Sequence, residues 1–286
     1  MSAIVKLVQG SAEWHEHRRN HRNASETPAV LGVSPWMTPY QLWQIKLGLV
    51  EPEVTGAMLH GTQLEPQARA AYEALTGHVM QPLVLVDGEF SASLDGLTLS
   101  GDRVLEIKCP FKRRDSTLWK AAAEGRLPEH YAWQVQHELM VTRADTADVY
   151  VFDGTEGLLL EVRPQPNIWP RIHDGWDAFM RCVREAQPPP LTARDTRIRD
   201  DPEWLSAAAA YIELRTAYDE LSAKCDEAKA GLVSLTAHAR EHGGGVSVTR
   251  LWKRGNVEYK RVPQLAGIDL EGYRGPAREE VRITTK

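Results

Sequence analysis

The chain has 286 residues, 42% of them hydrophobic and 26% charged, a globular composition that suits one large core or one domain with a smaller appendage. A net charge of -5 excludes a protein whose whole surface is basic, so any contact with nucleic acid must run through local patches. No apolar run approaches the roughly 18 residues that cross a bilayer, the opening MSAIVKLVQG is too short and polar for a secretory signal, and the three cysteines, Cys109, Cys182 and Cys225, match neither a disulfide framework nor a zinc site, so an intracellular protein with reduced thiols is expected.

In chain order, SAEWHEHRRNHRNAS predicts a helix that carries Arg18, Arg19 and Arg22 and ends at a Ser/Asn-rich turn. His15, His17 and His21 on that helix have no Cys or Asp/Glu at zinc spacing, which favours solvent exposure over a metal box. A second helix is expected over 39–47, with Pro39 in its first turn and Trp36, Tyr40 and Trp43 packing it down. Over 58–75, Leu64, Ala68, Ala71, Tyr72 and Leu75 share one helical stripe, with Glu65 beside it. Pro66 fits there only if the helix begins nearby or bends. A carboxylate at the start of a buried helix needs a partner, and a metal is one candidate. His60 reads as a hydrogen-bonded structural histidine rather than a ligand.

Residues 80–108 alternate like strands, punctuated by Gly88 and Gly96. A helical pattern returns over 128–141, with Tyr131 and Gln134 on one face and Val135 and Leu139 on an adjacent apolar stripe. ADVYVFDG follows as a strand, and RIHDGWDAFMRCVREAQ as a helix with Ile172, Trp176, Phe179 and Val183 inward. Alternating strands and helices imply an α/β fold, a sheet covered by helices.

The prolines of QPPPLT cannot continue a helix, so a boundary falls near 190 and divides the chain into 1–190 and 191–286. Beyond it, an apolar seam from Tyr211 through Leu221 to Leu235 advances in steps of three and four, the spacing of a coiled coil. The expected appendage is a long helix or helical hairpin, weakened late by Gly231, then a β-hairpin over VSVTRLWKRGNVEYKRV that turns at 254–256. The seam suits intramolecular packing or a subunit contact. Arg240, Arg250, Lys253, Arg254, Lys260 and Arg261, with Trp252 and Tyr259 among them, suit either contact with a DNA backbone or a solvated hairpin face.

The segment SLDGLTLSGDRVLEIKCP carries the clearest chemistry. Asp95 precedes a glycine turn, and Glu106 and Lys108 flank a single apolar residue in a strand, so both project to one side while Ile107 points into the core. Two carboxylates there can hold Mg²⁺, a hard cation that takes oxygen ligands, and the carbonyl of Ile107 can add a third. Lys108 would sit beside metal-bound water and steady charge on phosphorus. The same residues in an exposed hairpin would be a surface salt bridge.

Several ordered blocks set this segment in context: WHEHR and ASE within 14–26, HGTQLEPQAR at 60–69, SLDG at 93–96, LEIKCPFKRRD at 105–115 and YAWQVQHELMVT at 131–142. Together they resemble the YqaJ and phage lambda type exonucleases of the PD-(D/E)xK nuclease superfamily, over roughly the first two thirds of the chain. The resemblance implies a restriction-endonuclease-like mixed sheet flanked by helices. It implies that Asp95, Glu106 and the Ile107 carbonyl bind metal, that Lys108 is the catalytic lysine, and that Glu65 and Gln134 complete the site.

Arg18, Ser25, Ser93 and Arg114 match positions that hold a 5′-terminal phosphate in that family, with Arg19 and Arg22 competing for the role of Arg18. Also implied are Mg²⁺, or Mn²⁺ in its place, at two ions per site, and a ring-shaped homotrimer. The substrate would be double-stranded DNA, degraded 5′ to 3′ from its ends alongside a single-strand annealing protein, in the cytoplasm of a bacterial host of phage or prophage. An endonuclease on the same scaffold, or an inactive protein that binds DNA ends, stands as the alternative.

Overall fold

Alternating side chains between positions 81 and 108 make three consecutive strands, and these form the centre of a mixed sheet. In a computed structural model of the protein, which describes residues 2–7 and 10–250, the chain divides into one unit from Met1 to Thr196 and another from Arg197 to Lys286. The first unit contains β1 (Ala3–Val5), α1 (Ala12–Asn20), β2 (Arg22–Asn23), α2 (Thr27–Val30), α3 (Pro39–Lys46) and α4 (Gly56–Thr76). It continues with β3 (Gln81–Asp87), β4 (Phe90–Leu97), β5 (Arg103–Lys108), α5 (Thr117–Ala123), α6 (Glu129–Thr142), β6 (Thr146–Phe152), β7 (Gly157–Val162) and α7 (Trp169–Arg184).

Among the described residues the sheet has seven strands, in the order β1-β3-β4-β5-β6-β7, with β2 pairing β4 off that path. The β5–β6 and β2–β4 pairs are parallel and the others antiparallel. A parallel pair needs a long crossover, and α5 and α6 supply it between β5 and β6. Strand alternation then sorts the core. Val104 joins Val135 and Leu139 under α6, while Leu105 and Ile107 turn to the opposite face and pack with Ala68 and Tyr72 of α4. A further cluster unites Leu42 and Trp43 of α3 with Ile172, Trp176 and Phe179 of α7, and Val183 packs at its edge.

Helix ends follow their side chains. Thr38 caps α3 with a reciprocal bond from Gln41, with Pro39 in the first turn, and Gly77 closes α4 in the left-handed conformation. Gly96 has a different reason to be glycine. It lies inside β4, and a Cβ there would stand 2.7 Å from Cβ of Met80 and 3.2 Å from Cβ of Leu105. Gly96→Ala therefore overpacks the floor of the sheet and should cost about 1–3 kcal/mol, read as a lower urea midpoint at unchanged slope.

Several sequence expectations are corrected. Asp95 and Gly96 are strand residues, and the turn comes later, near Gly101. Arg22 leaves the first helix for β2, because α1 stops at Asn20. Trp36 and Leu75 are exposed, since the loop before α3 and the last turn of α4 have no layer above them. Helix α4 begins at Gly56 and runs through Pro66, which lacks the N–H that would bond to Thr62.

The second unit has α8 (Pro202–Leu235), β8 (Arg240–Gly243) and β9 (Val246–Thr249). Asp201 caps α8 and Pro202 opens it, and the helix continues unbroken past Gly231 rather than folding into a helical hairpin. Strands β8 and β9 turn at Gly244 and Gly245, both at positive φ as a two-residue hairpin turn requires. The expected turn at 254–256 and most of the basic and aromatic tail lie outside the described residues. No helix among the described residues is long and apolar enough to cross a membrane.

Candidate active site

The site begins where two strands part. Ladder pairing between β4 and β5 covers only Gly96 with Leu105 and Leu97 with Val104. Beyond it, Asp95 Oδ2 accepts the backbone N–H of Ile107 at 2.6 Å, so a carboxylate takes the place of a strand carbonyl. Burial first, then Glu106 and Glu65, push the Asp95 carboxyl well above its ordinary range, while Lys108 and the Ile107 N–H pull the other way.

Glu106 is 3% exposed and faces α6. Gln134 Nε2 donates to Glu106 Oε1 at 2.6 Å and to Glu138 Oε1 at 2.9 Å. Lys108 forms an ion pair with Glu106, and its Nζ donates to Gln134 Oε1 at 3.4 Å and lies 5.1 Å from the centre of the Tyr131 ring. Burial opposes the charge on Lys108. Glu106, then Tyr131 and Asp95, outweigh that and raise the ammonium above its ordinary value.

Glu138 is fully buried and was not anticipated. Among the described residues its Oε2 has no hydrogen-bond partner, and burial with the nearby Glu106 drives its carboxyl well above the usual range. A neutral acid avoids the cost of a second buried anion beside Glu106.

From the other face of the sheet, α4 contributes Glu65. Arg69, one helical turn on, donates through Nη2 to Glu65 Oε1 at 2.6 Å and through Nε to the carbonyl of Asp95 at 2.8 Å. The i, i+4 spacing of this pair was visible in the sequence, but its bond to β4 was not. Burial raises the Glu65 carboxyl, against Arg69.

The donors Asp95, Glu106 and the Ile107 carbonyl are hard oxygens, and Mg²⁺ is commonly held by one or two carboxylates with water completing its shell. They fit that ion. No group of three or more His, Cys, Asp or Glu side chains among the described residues could hold a metal alone. The crowding of Asp95 against Glu106 and Glu65 is the electrostatic state that a divalent cation relieves.

Glu65, Asp95, Glu106, Ile107, Lys108 and Gln134 line a cleft of about 840 Å³, and so do Arg18, Arg19, Ser25 and Ser93. Arg18 Nη2 donates to Ser25 Oγ at 3.1 Å and to Glu26 Oε1 at 2.9 Å. Ser93 Oγ accepts from Trp14 Nε1 at 3.4 Å. Behind them Lys46 Nζ pairs with Glu26 Oε2 at 2.7 Å and donates to the carbonyls of Arg18 and His21. Burial works against the Glu26 carboxylate, but Lys46 and then Arg18 prevail and hold it below its ordinary range.

Arg22 does not reach the cleft; it is buried and paired with Glu89 and Asp177. Arg114 also lies apart, in a depression beside Phe111 and Thr155, where Asp153 and Glu156 pair with it at 2.5 and 2.8 Å. At Cys109, burial first, then Asp95 and Glu65, push the thiol up to about 12, away from the thiolate form. His60 packs edge-on against Phe111 with its Nε2 buried and, among the described residues, unpartnered, so the expected hydrogen bond is missing there at that nitrogen.

Residues 13–145, which enclose every side chain of the cleft cluster, match the model of a YqaJ-like viral recombinase domain. The uncharacterized protein YqaJ of Bacillus subtilis (strain 168) is 27% identical over 145 residues, 48% of this chain and 44% of that protein, so the match spans less than half of the relative's length. Crystal structures of an alkaline exonuclease (LHK-Exo) from Laribacter hongkongensis, one of them in complex with dAMP, superpose with a TM-score of 0.53 at 23% identity. The match covers 71% of this chain and 100% of that one, a shared fold.

Proposed function

We propose that the protein, whose residues 13–145 match the model of a YqaJ-like viral recombinase domain, is a metal-dependent deoxyribonuclease that degrades double-stranded DNA from 5′ ends and leaves 3′ single strands for recombination. The observation that carries this reading is one cleft with two chemistries: an acid, lysine and glutamine cluster, and a wall bearing Arg18, Ser25 and Ser93. The shared fold with an alkaline exonuclease supports action at ends over action within a strand.

Asp95, Glu106 and the Ile107 carbonyl would hold Mg²⁺ or Mn²⁺, with Glu65 left for a second ion; when bound, such ions neutralise phosphate charge and acidify water. The chain's own groups do the rest. Lys108 presents an ammonium to the phosphodiester, where charge grows during displacement, and Gln134 keeps Lys108 and Glu106 in register. Arg18 and Ser25 bind the terminal phosphate, whose second charge an internal phosphate lacks. By family resemblance the protein assembles as a ring-shaped homotrimer and works with a single-strand annealing protein in the cytoplasm of a phage's bacterial host.

Linear duplexes with and without a 5′ phosphate, and a closed circle, each incubated with Mg²⁺ or chelator, test the reading. Nucleotides should be released only from the linear forms and only with metal. The phosphorylated end should react about tenfold faster, the worth of one hydrogen bond to a charged group. Cutting of the circle would make it an endonuclease, and end binding without release would make it an inactive binder.

A further inference from the structure

Helix α8 carries an apolar seam that β8 and β9, the other described elements of its unit, leave open. The steps of three and four that run from Tyr211 to Leu235 extend back through Ala207 to Trp204, so the repeat fills almost the entire helix. No residue of α8 is buried, and Leu214, Tyr218 and Leu221, at the middle of the seam, are 71%, 62% and 62% exposed. A period of 3.5 drifts by about 20° per heptad on a straight helix, so over this length the seam winds around α8 and closes only against a helix that supercoils with it. The next longest helix among the described residues is α4, whose Ala68 and Tyr72 are already packed on the sheet. A helix of matching length is available from a second copy.

We infer that two copies of this chain pair through α8 as an antiparallel two-stranded coiled coil. Side-chain size fixes the direction. In a parallel pair each seam residue meets itself, so Tyr211 would crowd Tyr211 while Ala207 and Ala228 would face their own kind across gaps. Centred between Tyr218 and Leu221, an antiparallel pair sets Tyr211 against Ala228, Leu232 against Ala207, and Leu214 against Cys225, large on small along the coil.

Charge agrees. The flanking positions of a parallel pair would bring Lys224 beside Lys229 of the other copy, a like-charge contact. Reversing one helix places Lys224 beside Ala217 and Lys229 beside Ala208, and no like charges meet. Such a contact is isologous and closes on itself. The inference goes beyond the nuclease reading and does not depend on it.

The full-length protein tests this by light scattering and oxidative cross-linking. Wild type should have at least twice the mass of the Leu221→Asp variant, since neither a monomer nor a ring of three can pair every α8 within itself, whereas Thr216→Asp on the opposite face should leave the mass unchanged. With Cys109 and Cys182 replaced by serine, Cys225 alone should give no disulfide between copies, and adding Leu214→Cys should give one. Equal masses for wild type and Leu221→Asp, as another occupant of the seam would produce, overturn the pairing. A link between two Cys225 residues overturns the direction, and this readout leaves the seam undisrupted.

Discussion

On the proposed mechanism, Lys108→Ala should abolish nucleotide release from a 5′-phosphorylated linear duplex in Mg²⁺, with a loss on the order of 10² to 10⁴ in rate. Two effects compound. The ammonium proposed to face the phosphodiester disappears, and Glu106 and Asp95 lose the positive charge that offsets their crowding. Binding to DNA ends, followed by mobility shift, stays nearly unchanged because Arg18 and Ser25 keep their bond at 3.1 Å on the other side of the cleft. Turnover that survives in this variant would remove Lys108 from the mechanism.

Lys46→Met costs about 3–5 kcal/mol of stability, the usual penalty for breaking a buried ion pair from one side. Lys46 is itself buried over the Trp176 ring and holds Glu26 together with two backbone carbonyls. Without it, Glu26 keeps only Arg18 and Asn23. Chemical denaturation at several pH values reads both size and cause. In wild type Glu26 sits below its ordinary range, so its contribution is present above the unfolded carboxylate pKa and fades as pH falls below it. In the variant the carboxyl rises instead, and acid relieves it. The difference between the two proteins should therefore narrow as pH drops through the region of about 4. A constant deficit across pH would assign the loss to packing over Trp176 instead.

Period and spacing made much of the first unit legible. Helices α3, α6 and α7 bury the faces their apolar residues mark, and the alternation of β5 sets Ile107 against α4 while Glu106 faces α6. The acidic residues and the lysine of the cleft stood out because polar groups inside a strand pattern are costly unless used. Other groups gave no such sign. Lys46 closes a helix where a basic residue is ordinary, and Glu138 reads like any helix carboxylate until its burial is known. The distinction is tertiary, since sequence records a charge but not the neighbour that neutralises it. Leu75 and Trp36 err the other way, as apolar residues whose periodicity outruns the layer they were expected to meet.

Because an amide hydrogen in β5 depends on a side chain from β4, architecture and reactivity share one atom. Mutating Asp95 to a residue without an acceptor would strip a buried donor of its partner and remove a proposed metal ligand, so a silent protein obtained that way would be damaged twice. A catalytically dead reagent for trapping DNA is better made at the lysine two places beyond Glu106, where no backbone group relies on what is removed.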